Sequence, residues 1–358
     1  MNAIENELRQ KDPVYCLRKL PLTPRIKSAI ELIKNAYESD SEPWIVGFSG
    51  GKDSSCVLKL LFHAIRLASF HHKPVTVLYC DTGVEIPLAA RLAHNVLNSL
   101  KDEATKLGLP IGIKIVSPPM KDHFFVKVIG RGYPPPTDKF RWCTDRLRIN
   151  PISNLLHENG HDKAIVVIGV RQDESNTRAQ TLKKYNGSSI YWKRQKQDKN
   201  RRLFTPIIDF NLTDVWQTLL LMPTPHSVHG RTIADLYANA AGECPTIRDP
   251  DAAPCGAARF GCWTCTVAKN GTTLRNLIQS GRVELIPLLE FRLWLDKYRN
   301  DKNYRWKTRR NGKPGLGPMT MRWRRMALKK LIKAEATSGF RLIDEAEIKA
   351  IKNEWRRE

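Results

Sequence analysis

Four short apolar runs punctuate the first half of the chain: Trp44–Phe48, Val75–Cys80, Ile111–Val116 and Ala164–Gly169. Each predicts a buried strand, because the apolar positions are continuous and stop at turn formers such as Asp81-Thr82-Gly83 or Pro118-Pro119. Between them the apolar spacing turns helical. Ser55–Phe62 opens one helix, and Leu88, Ala89, Leu92, Val96 and Leu97 mark a second that runs from Pro87 to Leu107. A third is expected over about 145–159. Buried strands alternating with helices predict an α/β fold with a doubly wound, mostly parallel sheet. In such sheets ligands bind where the strands end.

The pattern changes on either side of this region. Residues 1–42 read as a helical lead-in interrupted by Pro21 and Pro24. Residues 172–205 are polar and basic and predict a mobile excursion. Leu212–Trp216 restarts a helix, with Thr213 as the expected N-cap. From about 226 to 270 the chain is rich in Gly, Pro, Ala and Cys and reads as irregular, and helix resumes after 273. The expected division is a lead-in (1–42), a nucleotide domain (43–225), a cysteine-containing segment (226–290) and a basic helical region (291–358).

The turn after the first strand carries the most chemistry. Ser49-Gly50-Gly51-Lys52-Asp53-Ser54 joins a buried strand to a helix. Adjacent glycines let the backbone bend and approach a ligand, and the first N–H groups of the helix make an anion site. Lys52 adds positive charge, and Ser49 and Ser54 add hydroxyls. The spacing is not that of a Walker A loop. Asp81 ends the second strand. Gly169-Val170-Arg171 ends the fourth, where Arg171 can grip a phosphate and Glu174 can orient it.

Charge and cysteine content then narrow the partners. The formal net charge of +23 over 358 residues points to a polyanion. No apolar run approaches the roughly 18 residues of a membrane span, and no long amphipathic helix with a clean apolar face stands out, so nucleic acid is favoured over membrane. The N-terminus lacks a secretion-signal layout, and the expected location is cytoplasmic. Tyr304–Arg310 interleaves aromatics with cations, as strand-tracking surfaces do, and Met321–Arg325 begins a basic helix. Cys262-Trp263-Thr264-Cys265 is a C-x-x-C pair, with Cys255 upstream and Cys143 distant. Sulfur ligation of this kind suits an iron–sulfur cluster or zinc, and redox or persulfide-carrying thiols are the third reading. Cys244 is a further candidate, whereas Cys16, Cys56 and Cys80 read as core residues.

These motifs resemble known ones. Ser49–Ser54 is similar to the pyrophosphate loop of the PP-loop ATP pyrophosphatases. Asp81-Thr82-Gly83, Gly169–Ser175 and Arg141-Trp142-Cys143-Thr144 resemble segments of the phosphoadenylylsulfate reductase branch. Gly242-Glu243-Cys244-Pro245 and Arg259–Thr266 resemble the DNA phosphorothioation sulfurtransferases of the DndC and SspD type. That resemblance implies ATP and Mg²⁺, with Ser49, Gly50, Gly51, Lys52, Asp53, Ser54, Asp81, Gly169, Arg171 and Glu174 around the nucleotide. Lys52, Asp53 and Arg171 would be catalytic. It implies a [4Fe–4S] cluster on Cys143, Cys255, Cys262 and Cys265, with zinc as the alternative. The implied partners are DNA, a cysteine desulfurase and other DNA-modification subunits. A tRNA-thiolating enzyme and a phosphoadenylylsulfate reductase are the rival activities, and a zinc-stabilised binding module is the non-enzymatic one.

Overall fold

The computed structural model describes residues 22–70, 73–158, 163–174, 189–194, 201–241, 260–267 and 271–358. Six strands form one sheet: β1 (Trp44–Phe48), β2 (Val75–Cys80), β3 (Ile111–Val116), β4 (Ile165–Val167), β5 (Trp192–Arg194) and β6 (Arg202–Phe204). Their order is β3-β2-β1-β4-β6-β5. β1 runs parallel to β2 and β4, which places Trp44 opposite both Val75 and Ile165. β4 is parallel to β6, and only β5 turns back antiparallel. This is the mostly parallel α/β class expected from the apolar runs.

The chain divides into two units. The first comprises Met1–Tyr79, Leu92–Lys114 and Gly160–Asp235; the second comprises Cys80–Arg91, Ile115–Asn159 and Leu236–Glu358. Within the first, α1 (Pro24–Glu38) and α5 (Leu212–Leu221) both pack on α2 (Lys52–Leu67). α2 is therefore buried nearly all round, with every residue from Ser54 to Ile65 buried. A helix this enclosed has to satisfy its polar side chains internally. Lys59 donates to the Met222 carbonyl, and the His63 Nε2 lies 2.8 Å from the Thr224 carbonyl.

Desolvation shifts both groups. It lowers Lys59 to about 8 and His63 to about 3. The folded state thus keeps His63 neutral, while an unfolded histidine takes up a proton near pH 6.5. Stability should therefore fall as pH drops from about 6.5 towards 3, by about 1.4 kcal/mol per pH unit from this group alone. Denaturant unfolding at several pH values should show a shallower decline in His63→Gln than in the parent. Equal slopes would mean that His63 is not held neutral.

Three expectations are corrected. The stretch 172–205 is not wholly an excursion, because residues 192–194 and 202–204 extend the sheet. Trp192 stacks on Phe204 with ring centres 4.6 Å apart, and basic neighbours hide this apolar pairing in the sequence. The helix at 212 is capped by Asn211, not Thr213. Asn211 accepts the Asp214 N–H at 2.9 Å, and Asp214 accepts the Asn211 N–H at 2.9 Å, a reciprocal capping box. Within the stretch read as irregular, Gly230–Ala241 is helix α6.

The second unit is mainly helical. After α3 (Pro87–Lys106), which spans both units, come α4 (Asn150–Glu158), α7 (Thr272–Gln279), α8 (Ile286–Tyr298), α9 (Met321–Ser338) and α10 (Glu345–Arg356). Its core gathers Phe124, Phe125, Trp142, Trp263, Phe291 and Trp323. Trp323 is fully buried and stacks on Trp294 at 4.9 Å. The basic start of α9 is thus only partly a solvent face. Arg324 is buried, donates to the Gly130 carbonyl and pairs with Glu358, and desolvation lowers it to about 10. Among the described residues, no helix is long and apolar enough to cross a membrane.

Candidate functional site

The glycine turn forms as its residue types require. Gly50 adopts φ 73°, a left-handed conformation that suits glycine. The Ser54 hydroxyl accepts the Ser49 N–H at 3.2 Å and donates to the Gly51 carbonyl at 3.0 Å. The Ser49 and Ser54 hydroxyls lie 3.1 Å apart. The two serines thus close the turn on itself. α2 starts at Lys52 behind Gly51, which has no side chain to cap the helix. The leading N–H groups and the positive end of a sixteen-residue helix therefore lie at the turn, an arrangement that suits an anion.

The end of β4 comes to the same turn. A Cβ on Gly169 would lie 2.7 Å from the Asp53 carbonyl oxygen, so only glycine permits this approach. Two residues on, Arg171 is 3% exposed and its Nε donates to Asp53 Oδ1 at 2.6 Å. Its Nη1 lies 3.6 Å from Asp173. Lys52 is buried at the helix start. Ser49–Ser54, Gly169 and Arg171 are therefore one constellation in the first unit. The carboxylate on Arg171 is Asp53, a pairing across 118 positions that local reading does not find. The Glu174 side chain, and Ser175 and Arg178, lie outside the described residues.

Asp81 follows β2 in the second unit, and its carboxylate accepts the Gly83 N–H at 2.9 Å. Thr82 donates its hydroxyl to Glu85 at 2.6 Å. Glu85, absent from the sequence reading, has its pKa raised by desolvation and faces Arg148 at 3.6 Å.

The thiols also lie in the second unit. Cys265 N–H bonds the Cys262 carbonyl at 3.1 Å, which makes C-x-x-C a tight turn. Trp263 anchors it: its N–H reaches the Val84 carbonyl at 2.9 Å, and its ring sits against Phe125 and Phe291. Two arginines brace the far side. Arg292 Nε donates to the Cys265 carbonyl at 2.8 Å, and Arg299 Nη1 donates to the Thr266 carbonyl at 2.6 Å. Cys143 sits on the single helical turn Trp142–Thr144.

The three sulfurs influence one another. Desolvation raises the Cys143 thiol, with Cys265 adding to the rise. Desolvation raises Cys262 to about 12, and Cys265 and Cys143 contribute. An all-sulfur donor set suits iron–sulfur or zinc chemistry. Among the described residues, no group of three or more His, Cys, Asp or Glu closes into a metal-holding arrangement. Cys255, Cys244 and Cys16 lie outside the described residues. Cys56 is buried as a core thiol, whereas Cys80, expected in the core, is half-buried and donates to the Leu147 carbonyl at 3.2 Å.

The aromatic–basic segment forms a small ribbon. Bridges join Arg305 to Met319 and Thr308 to Pro314. Arg305 is buried and donates to the carbonyls of Gly317, Leu316 and Arg299, so it is a structural strut. Trp306 is 59% exposed, and Lys307, Arg309 and Arg310 are exposed with it.

Fold and glycine turn together define an α/β protein of the PP-loop, adenine nucleotide α-hydrolase-like class. The chain belongs to the phosphoadenosine phosphosulfate reductase domain family, whose profile matches residues 43–268. An uncharacterized protein of Methanocaldococcus jannaschii is 30% identical over 201 residues, 56% of this chain and 36% of the relative. The chain thus spans about a third of that relative's length. Among solved structures, the Candida auris phosphoadenylyl-sulfate reductase is 11% identical, with 56% of this chain and 80% of that one covered and a TM-score of 0.32. The U34-tRNA thiolase of Methanococcus maripaludis, solved with its [4Fe-4S] cluster, is 14% identical over 60% and 73% of the two chains, with a TM-score of 0.35. At such distances neither substrate nor cofactor transfers.

Proposed function

We propose that this protein is an ATP-dependent sulfurtransferase that activates a DNA backbone phosphate for sulfur insertion. The observation that carries the reading is the Ser49–Ser54 turn at a helix N-terminus, with Gly169 and Arg171 held against it through Asp53. In this reading the pyrophosphate of ATP lies on the leading N–H groups of α2. Lys52 and Arg171, with Mg²⁺, offset the charge of the departing pyrophosphate. An acceptor phosphate oxygen attacks the α-phosphorus and pyrophosphate leaves. The terminal sulfur of a persulfide then attacks the acceptor phosphorus with AMP as the leaving group. A second thiol attacks the inner sulfur, forming a disulfide and leaving the outer sulfur on phosphorus.

Cys143, Cys262 and Cys265, with Cys255, would hold a [4Fe–4S] cluster or zinc in the second unit. A cluster there would supply a sulfur-handling or structural centre. Arg292 and Arg299 fix the backbone that presents two of these thiols. Because the thiol of Cys262 is raised to about 12, ligation would release protons and strengthen with pH. The cationic ribbon at 306–310 and the +23 charge support a nucleic-acid acceptor, and a cysteine desulfurase would provide the sulfur.

The test has two parts. Purified protein should release pyrophosphate from ATP in the presence of acceptor, and Lys52→Ala should reduce this by about 100-fold or more, the scale of losing one charge-stabilising donor. Mass spectrometry of DNA digests should then show a sulfur-bearing dinucleotide only in cells that carry the gene. Sulfur in tRNA instead of DNA would transfer the activity to tRNA thiolation. Pyrophosphate release unaffected by Lys52→Ala would overturn the enzymatic assignment.

A further inference from the structure

We propose that a groove at Tyr133–Arg146 binds an unpaired base of single-stranded nucleic acid beside the thiol turn. This deepens the reading of a nucleic-acid acceptor and rests on it. The groove encloses about 580 Å³, within the range that holds a nucleotide-sized ligand. Its walls are Tyr133, Phe140 and Trp142, and its three cations, Lys139, Arg141 and Arg146, outnumber the one carboxylate that lines it, Asp145.

The aromatic walls are set before any ligand arrives. Trp142 is buried, stacks on Phe124 at 5.7 Å and donates its indole N–H to the Pro134 carbonyl at 3.1 Å. Tyr133 meets Trp142 edge to face at 5.5 Å. Phe140, in contrast, is 44% exposed. Two backbone hydrogen bonds with Thr137, of 3.0 and 3.2 Å, hold it in place. A phenylalanine kept in water by a tight turn is a stacking platform for a flat apolar partner.

The charges name the partner. Lys139, Arg141 and Arg146 are all exposed around the aromatics. Asp138 engages Arg141 at 3.1 Å, but this pair is fully at the surface and weak. The Arg310 guanidinium, from the cationic ribbon, lies 5.3 Å over the Tyr133 ring and donates to the Arg131 carbonyl. Ribbon and groove are thus joined through a cation–π contact, and both belong to the second unit. Alternating aromatic faces and cations fit a strand whose bases are unstacked and whose phosphates run alongside. In a duplex the bases are already stacked on one another and cannot reach Phe140. Trp142 and Thr144 line the groove and flank Cys143, so a base there lies beside the helical turn that carries that thiol.

The test is equilibrium binding of the full chain to a labelled twelve-nucleotide oligothymidine and to the duplex of the same length. The single strand should bind more tightly. Phe140→Ala should weaken single-strand binding about tenfold, the effect of losing one stacked base, and leave the duplex unchanged. Phe140→Trp should retain binding, and the melting temperature of both variants should match the parent because Phe140 is exposed. Equal affinity for strand and duplex, no loss in Phe140→Ala, or competition by AMP at concentrations matching the oligonucleotide would each overturn the proposal. Loss of pyrophosphate release leaves these binding outcomes intact, so the groove and the sulfurtransferase reading fail separately.

Discussion

Arg171→Met should abolish nucleotide-dependent pyrophosphate release, by about 100- to 1,000-fold, the range for removal of one preorganised donor at developing charge. The same change leaves Asp53 without the guanidinium that contacts it at 2.6 Å. Breaking a buried ion pair from one side costs about 3–5 kcal/mol. The Asp53 side chain retains 16% exposure, which places the expected loss at the lower end of that range. A double variant separates the two effects. Arg171→Met with Asp53→Asn removes the uncompensated charge and should recover much of the stability without recovering activity. If the double variant regained activity, Arg171 would be a strut and not a phosphate-binding group. Isothermal titration with a non-hydrolysable ATP analogue supplies the binding arm, and chemical denaturation supplies the stability arm.

Trp263→Ala should have the largest effect on the second unit. The ring is 2% exposed, lies 6.0 Å from Phe125 and 5.7 Å from Phe291, and sits between the two thiols in sequence. Removing a buried tryptophan costs about 3–5 kcal/mol. The consequence specific to this position is thiol exposure. Cys262 is raised to about 12 by desolvation, so in the intact turn it is almost entirely protonated at neutral pH and alkylates slowly. With the anchor gone, alkylation of Cys262 in the metal-free protein should accelerate about tenfold or more as its thiol approaches the ordinary range. Trp263→Phe, which keeps an aromatic face against Phe125, should give an intermediate loss. Unchanged alkylation in Trp263→Ala would mean that the arginine braces alone hold the turn.

The C-x-x-C motif shows how much of this site the sequence makes legible. Its spacing marks the cysteines as chemically important, but not that the residues between them are structural. Trp263 and Thr264 are both buried, and Arg292 and Arg299 reach the turn from 27 and 33 positions away. No local pattern distinguishes those two arginines from the many basic residues on the surface. The same holds for residues 305 and 324, which count towards the +23 charge yet are buried struts bonded to backbone carbonyls. A composition argument treats every cation as available to a polyanion. Burial removes some of them and leaves others at the surface, among them Lys139, Arg141 and Arg146, and Lys307, Arg309 and Arg310 on the ribbon beside the exposed Trp306.

What the sequence by itself determined is local. Continuous apolar runs determined β1, β2 and β4, because a strand buried on both faces needs no alternation. β3, expected to be buried as well, is instead a mostly exposed strand at the sheet edge, with Ile115 39% exposed. Gly50 determined the turn into α2, because few other residues tolerate its left-handed conformation. What only the tertiary structure decided is which distant groups meet. The weak strands at 192–194 and 202–204 form because sheet pairing and the stack of Trp192 on Phe204 override a basic, polar context. Asp53 meets Arg171 because parallel β1 and β4 end on the same side, and Gly169 has no Cβ to keep them apart. Long-range pairing depends on strand order and on the absence of single atoms, and neither is written in the spacing of residues along a chain.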